Sequence, residues 1–300
     1  MVERQYVSLT DGAPAEKFFA TEYAEYSVKQ MDRRNDGELA AYQRLRAAIF
    51  VDQLGWAVPV DARGREYDHY DIEDDPTVSV HGVFGYAGNT MSSQPNVGRA
   101  IEHIRRPHFL GGVRIFTLRS WSNSMVMREF ADAGMLPDAI LYQLQRQYDC
   151  SDLLELTRLC VQRGRRYVPT GPYALVPTPS FDMMLARDLL YTAVFSMAAS
   201  TGRTLALALV HAPYVKIMRR THFVFDMLYE HELTCKQGYA LTMIDLEASM
   251  HKIYQLDRPR ALRALSLCDD QSERPSWRQY RLGPEEQKIL SYDMAAEQPS

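Results

Sequence analysis

Two segments of this 300-residue chain carry ionisable side chains where the surrounding apolar pattern leads one to expect core. In Leu154-Glu155-Leu156-Thr157-Arg158-Leu159-Cys160-Val161, an acid and a base interrupt an otherwise apolar run. By the two-residue period of a strand, Glu155 and Thr157 share one face and Arg158 takes the other. Unpaired buried charge is costly, so each needs a partner or a cavity; Arg114, which interrupts Gly112-Val113-Arg114-Ile115-Phe116 in the same way, is a candidate partner in a buried ion pair. Upstream, Arg46 and Phe50 lie one helical turn apart, with Trp56 just beyond, and Glu66-Tyr67-Asp68-His69-Tyr70-Asp71 follows. Between residues 51 and 75, eight acids stand against two arginines. Such a run is either a solvated loop or the lining of a site for a cation. A metal is not indicated, because no second histidine lies at ligand spacing from His69.

The elements that must position these groups can be read from periodicity and turn chemistry. The pattern predicts a strand at Tyr23–Gln30, then a helix opened by Asn35-Asp36-Gly37 and running through about Gln53, ending near Gly55-Trp56. Strands follow at Val78–Tyr86 and Gly111–Leu118, separated by a long hairpin insertion, Ala87–Leu110. A helix is expected over Met135–Asp149 and a strand buried on both faces at Leu153–Val161. After a loop at Gly171–Pro179, Ser180 caps a helix over Phe181–Thr201, closed by Gly202. Thr204–Val210 reads as a strand, Pro213 opens a short helix, and strands near Phe223–Tyr229 and Tyr239–Leu246 complete the pattern. This order implies a mixed α/β sheet. We divide the chain into an N-terminal extension (1–20), one principal domain (21–265, with the insertion 87–110) and a polar C-terminal tail (266–300).

Composition narrows the function classes. Lys+Arg 34 against Asp+Glu 38 gives a net charge of −4, so neither a strongly basic nucleic-acid binder nor an acidic tail protein is expected. Of the 34 basic residues only six are lysines, and arginine is the side chain suited to bidentate carboxylate and phosphate contacts. The most apolar stretch, Leu189–Ala199, is shorter than the roughly 18 residues of a membrane span, and the amino terminus lacks an apolar signal core. The four cysteines form no C-x-x-C pair, so neither a zinc site nor a disulfide framework is indicated, and a reducing cytoplasm is the simplest compartment to expect.

Taken in order, Arg46-x3-Phe50-x5-Trp56, Glu66-x-Asp68-x2-Asp71, Gly112-Val113-Arg114 and Glu155-Leu156-Thr157-Arg158 resemble the signature of the acyl-homoserine-lactone synthases of bacterial quorum sensing, over about residues 42–223. The resemblance implies a GNAT-like α/β fold, with a mixed, mostly antiparallel central sheet flanked by helices in three layers. It also implies transfer of an acyl chain from a thioester, on acyl carrier protein or coenzyme A, to the amine of S-adenosylmethionine, with lactonisation and loss of methylthioadenosine. S-adenosylmethionine is then a substrate, and no tightly bound cofactor, metal or nicotinamide is implied.

Arg46, Phe50, Trp56, Asp68, Asp71, Arg114, Glu155 and Arg158 match the family's signature positions. Carboxylates at Asp68 or Asp71 suit the cationic end of the acceptor, an arginine suits its carboxylate, and Phe50 and Trp56 suit the adenosyl or sulfonium part. Glu155 or Asp68, directly or through water, is the candidate general base, and amides opened by a bulge beside the Leu154–Val161 strand are candidate oxyanion donors. Arg163, Arg165 and Arg166 resemble a weakened phosphate-binding turn; with Lys216, Arg219 and Arg220 they form a candidate surface for an acidic carrier protein. The chain departs from the family in a Trp56–Asp68 interval one residue longer, Thr157 where serine is common, and Leu209-Val210-His211-Ala212 where threonines often lie near the acyl chain. A related N-acyl amino acid synthase and a catalytically silent binding module are the alternative readings.

Overall fold

The computed structural model describes residues 17–20, 24–33, 36–72, 75–87, 107–132, 137–162, 183–231 and 238–261. Eight strands form one sheet: β1 (Lys17–Ala20), β2 (Ala24–Gln30), β3 (Val78–Ala87), β4 (His108–Thr117), β5 (Leu153–Val161), β6 (Leu205–His211), β7 (Val224–His231) and β8 (Tyr239–Asp245), in the order β1-β2-β3-β4-β5-β6-β8-β7. Every neighbouring pair is antiparallel except β5 and β6. The sheet therefore begins within the expected N-terminal extension. The expected insertion is likewise bounded by strand, since Ala87 ends β3 and His108 opens β4; its interior lies outside the described residues, as do the 171–179 loop, Ser180 and the tail.

Helices cover both faces, giving three layers. On one face lie α1 (Asp36–Arg46), α2 (His69–Ile72), α3 (Met125–Asp132) and α4 (Asp138–Gln147); on the other lie α5 (Met183–Thr201) and α7 (Leu246–Leu256), with α6 (Ala212–Arg220) leading out of β6. Alternation along the strands sorts the core accordingly. Leu154, Ala206, Ala208 and Ile244 pack on α5 and α7, whereas Leu153, Leu207, Leu241 and Met243 pack with Phe116, Met125 and Leu144 on the opposite face. Helix α5 buries Leu185, Ala186, Leu189, Leu190, Val194, Phe195 and Ala198, and Gly202 ends it at φ 68°, a conformation costly for a residue with a Cβ.

Besides the single turn α2, which falls in the acid-rich run, two helices were not expected from periodicity, although each carries a start signal. Ser124 accepts from the Met127 amide (3.1 Å) at the start of α3, and Asp245 accepts from Ala248 (2.8 Å) at the start of α7. The expected first helix is present but changes pitch: it is α-helical to Arg46 and π-helical over Ala47–Gln53. Its acids Asp36 and Glu38 lie in the first turn and Arg44 and Arg46 in the last α-turn, matching the helix dipole.

Two irregularities of the sheet shape the site. Strands β5 and β6 pair with each other only from Leu153/Leu205 to Leu156/Ala208; β5 then runs on to Val161 beside β4 and β6 to His211 beside β8, so the sheet opens between their C-terminal ends. In β5, the register to β4 shifts between Thr157↔Arg114 and Cys160↔Gly112, so Arg158 and Leu159 together oppose Val113. That is a β-bulge, and Arg158 within it has φ 54°.

Candidate functional site

The π-turn carries the helix chain to Gly55 (φ 70°), where the Trp56 amide bonds Phe50 O at 2.8 Å. This folds Trp56 back onto Phe50, their rings stacked at 4.8 Å and 15°. Tyr239, opposite His211 in the β6–β8 register, meets Trp56 edge-on at 5.1 Å. The aromatic group thus stands on the same face as Glu155 and Thr157, beside the opening between β5 and β6.

The acid-rich loop is not simply a solvated run. A tight turn over Asp61–Gly64, with Asp61 accepting from the Arg63 and Arg65 amides (2.8 and 2.9 Å), brings Glu66 opposite Val60. Glu66 is completely buried. Asp68 caps α2 by accepting from Tyr70 N at 3.1 Å, and Asp71 is buried beneath it.

Three arginines from three distant elements meet these three acids. Arg46, from α1, binds both oxygens of Asp71, the Glu66 carboxylate and the Glu66 carbonyl (2.7 Å). Arg114, from β4, takes Asp68 in a fork with two bonds of 2.7 Å and reaches Asp71 (3.3 Å) and the Thr157 hydroxyl (3.2 Å). Arg158, from β5, pairs with Glu66 (3.2 Å) and Asp68 (3.7 Å), and its guanidinium lies 5.7 Å from the Phe50 ring centre. Three positive and three negative groups therefore balance, which is what allows them to be buried. Burial alone would destabilise the Arg46 cation, but Asp71 and Glu66 more than offset it and hold its pKa above the usual value. Burial likewise opposes ionisation of Asp68, yet the hydrogen bond and charge of Arg114 hold its carboxyl at about 2.

The structure corrects the expected placement of Arg158. Simple alternation puts it on the face opposite Glu155 and Thr157; the bulge resets the alternation and turns its side chain into the acid cluster. Arg114 is also not the partner of Glu155. It binds Asp68 and Asp71, while Glu155, fully buried, accepts from the Val126 amide at the start of α3 (2.8 Å). Both oxygens of Asp71 are occupied by Arg46, Arg114, Gln43 and the Asp68 amide. The sides of the network that reach the surface belong to Asp68 and Arg158, whose side chains are 16% and 8% exposed.

Lys216, Arg219 and Arg220 project from the exposed face of α6, anchored by buried Val215 and Met218. Arg163, Arg165 and Arg166 lie outside the described residues. Cys160 is buried beside the bulge, and burial pushes its thiol up to about 12, so it supplies no thiolate for an acyl-enzyme. Residues that the sequence did not single out also shape the site. Gln43 bonds Asp71, the Tyr70 and Phe116 rings both lie against the Arg114 guanidinium (5.3 and 5.5 Å), and Arg128 bonds the Tyr70 hydroxyl (3.1 Å). Glu66 lay within the recognised acid pattern, but only its burial reveals that it binds two arginines.

The sequence matches no protein-family model and no curated protein. Solved structures do match. The acyl-homoserine-lactone synthase LasI has a TM-score of 0.51 at 15% identity, covering 78% of this chain and 95% of that one. A coenzyme-A-dependent acyl-homoserine-lactone synthase, BjaI, solved with S-adenosylmethionine and isopentyl-coenzyme A, aligns with a TM-score of 0.46 at 20% identity (80% and 98% covered). FeeM, an N-acyl amino acid synthase from uncultured soil microbes, aligns at 0.45 and 9% identity (76% and 95% covered). The fold is thus GNAT-like α/β, of the kind found in LasI.

Proposed function

We propose that this chain is an acyltransferase of the acyl-homoserine-lactone synthase family, which moves an acyl group from a thioester to the amine of S-adenosylmethionine. The observation that carries this reading is the charge-balanced network of Arg46, Arg114 and Arg158 with Glu66, Asp68 and Asp71, open to a ligand at Asp68 and Arg158. An α-amino acid presents an ammonium and a carboxylate side by side, and that edge offers one complement to each. Asp71 and Glu66 organise the edge instead of touching the acceptor. The stacked Phe50 and Trp56 suit the sulfonium and adenosyl parts, which other amino acids lack.

Glu155 is the general base in this reading, directly or through water. A carboxyl held at about 2 accepts a proton poorly at neutral pH, which leaves Asp68 a binding role. The acceptor ammonium gives one proton to the base, and the resulting amine attacks the thioester carbon, whose oxygen gains charge beside the β5 bulge. The C–S bond then breaks, the nitrogen gives its second proton to the departing sulfur, and the thiol leaves. The acceptor carboxylate next attacks the methionyl Cγ, closing the lactone and releasing methylthioadenosine. The donor arm enters where β5 and β6 part, and exposed Lys216, Arg219 and Arg220, with Arg163, Arg165 and Arg166 from the sequence, favour an acidic acyl carrier protein over coenzyme A. A reducing cytoplasm is the compartment in which this reading sets the reaction.

Purified protein incubated with acyl carrier thioesters or acyl-coenzyme A, and with S-adenosylmethionine or free amino acids, tests the proposal. Methylthioadenosine release with S-adenosylmethionine supports it. Acyl amino acid formation without that release establishes an N-acyl amino acid synthase instead. Saturable carrier binding with no thioester consumed by any acceptor establishes a binding module.

A further inference from the structure

Arg158 carries the network's third positive charge from a backbone conformation that an L-residue adopts at a cost of about 1–2 kcal/mol. Such strain persists only where neighbours over-determine it. Here the neighbour is Tyr42, one helical turn before Arg46. Its side chain is fully buried, and its hydroxyl donates to the Arg158 carbonyl at 2.8 Å across 116 residues of sequence. Its ring packs against β4 at Gly112, where an added Cβ would stand 2.6 and 2.7 Å from two ring carbons. The guanidinium of Arg46 lies 4.9 Å from the ring centre. Burial keeps the phenol far above its ordinary pKa, so it remains protonated and able to donate.

We propose that Tyr42 is a positioning residue that holds the β5 bulge in the form aiming Arg158 at the acceptor, and that Gly112 is the gap that admits it. A regular strand here would send Arg158 to the opposite face, away from Glu66 and Asp68. The site would then lose its complement to the acceptor carboxylate. The functional half of this proposal rests on the acceptor reading given above; the structural half does not.

The test compares wild type with Tyr42→Phe, Arg158→Ala, the double variant and Thr242→Val. Thr242→Val removes a comparable buried hydroxyl-to-carbonyl bond (Thr242 to Ala208 O, 3.0 Å) away from the network. Amide hydrogen exchange at residues 158–160, measured without ligand, is expected to quicken about tenfold in Tyr42→Phe and to be unchanged in Thr242→Val. Unchanged exchange in Tyr42→Phe overturns the proposal. For S-adenosylmethionine binding by calorimetry, Tyr42→Phe is expected to weaken affinity about three- to tenfold in the wild-type background, but less than about twofold once Arg158 is alanine. A full, additive loss in the Arg158→Ala background overturns the positioning role. If wild type binds neither S-adenosylmethionine nor a free amino acid, the acceptor reading falls, and the exchange comparison still decides whether Tyr42 holds the bulge.

Discussion

Replacing Arg114 with methionine tests the charge balance most directly. Arg114 is fully buried and makes two bonds of 2.7 Å to Asp68 and one of 3.3 Å to Asp71. Its loss leaves three carboxylates facing two guanidinium groups in an interior that cannot hydrate the surplus. Removing one partner of a buried pair typically costs about 3–5 kcal/mol, and the partial exposure of Asp68 points to the lower end of that range. Urea unfolding at pH 7 reads the loss, and Asp68→Asn added to Arg114→Met is expected to recover about 1–2 kcal/mol by removing the surplus charge. The pH dependence gives a second reading. In wild type, Asp68 ionises at about 2 when folded and near its ordinary value of about 3.9 when unfolded. Its stabilising contribution, about 2–3 kcal/mol from the shift, is therefore complete above about pH 5 and is lost as pH falls toward 2. In Arg114→Met the network instead gains by taking up a proton, so acidification from pH 7 to 5 stabilises the variant relative to wild type. A loss below about 1 kcal/mol, or identical pH slopes for the two proteins, refutes the charge-balance reasoning.

Other perturbations separate the remaining roles. Glu155→Gln is expected to lower turnover about 100-fold or more while leaving S-adenosylmethionine affinity within about threefold, whereas Asp138→Asn, on exposed α4, leaves both unchanged; steady-state rates with calorimetry check this. Phe50→Leu removes one half of the stacked pair and should raise the KM for S-adenosylmethionine about five- to twentyfold, with a smaller effect on any uncharged amino acid acceptor. Gly112→Ala drives a methyl group into the Tyr42 ring at 2.6 Å and should destabilise the fold by about 1–3 kcal/mol, seen as a lower urea midpoint. Charge reversal at the exposed Lys216, Arg219 and Arg220 should raise the KM for an acyl carrier thioester about tenfold and steepen with lower salt, leaving the KM for S-adenosylmethionine unchanged.

Much of this arrangement was legible in the chain itself. A near-continuous apolar run marks β5 in the sequence, and Glu155 and Arg158 stand out in it because charges there demand partners or a cavity. The ordered resemblance placed Arg46, Phe50 and Trp56 in one site, whereas the acids of 66–71 read either as a solvated loop or as the lining of a site for a cation. The helices α3 and α7 were missed even though Ser124 and Asp245 supply caps, because their apolar spacing is short and adjoins strand-like sequence. Composition could not show that the acids of the loop are satisfied internally, since a solvated run and a buried cluster have the same letters.

The sequence by itself determined that the charges set in apolar strands, Arg114, Glu155 and Arg158, each needed a partner or a cavity, since that follows from the cost of desolvating an ion whatever the fold. Only the tertiary structure decided the pairing: Arg46 with Asp71 and Glu66, Arg114 with Asp68, Arg158 with Glu66 and Asp68. The reason is that these partners lie 20 to 92 residues apart, and local periodicity carries no information over such distances. It also decided the side on which Arg158 acts. One extra residue in β5, kept in place by a tyrosine hydroxyl from α1 and a glycine in β4, outweighs the alternation that the strand would otherwise obey.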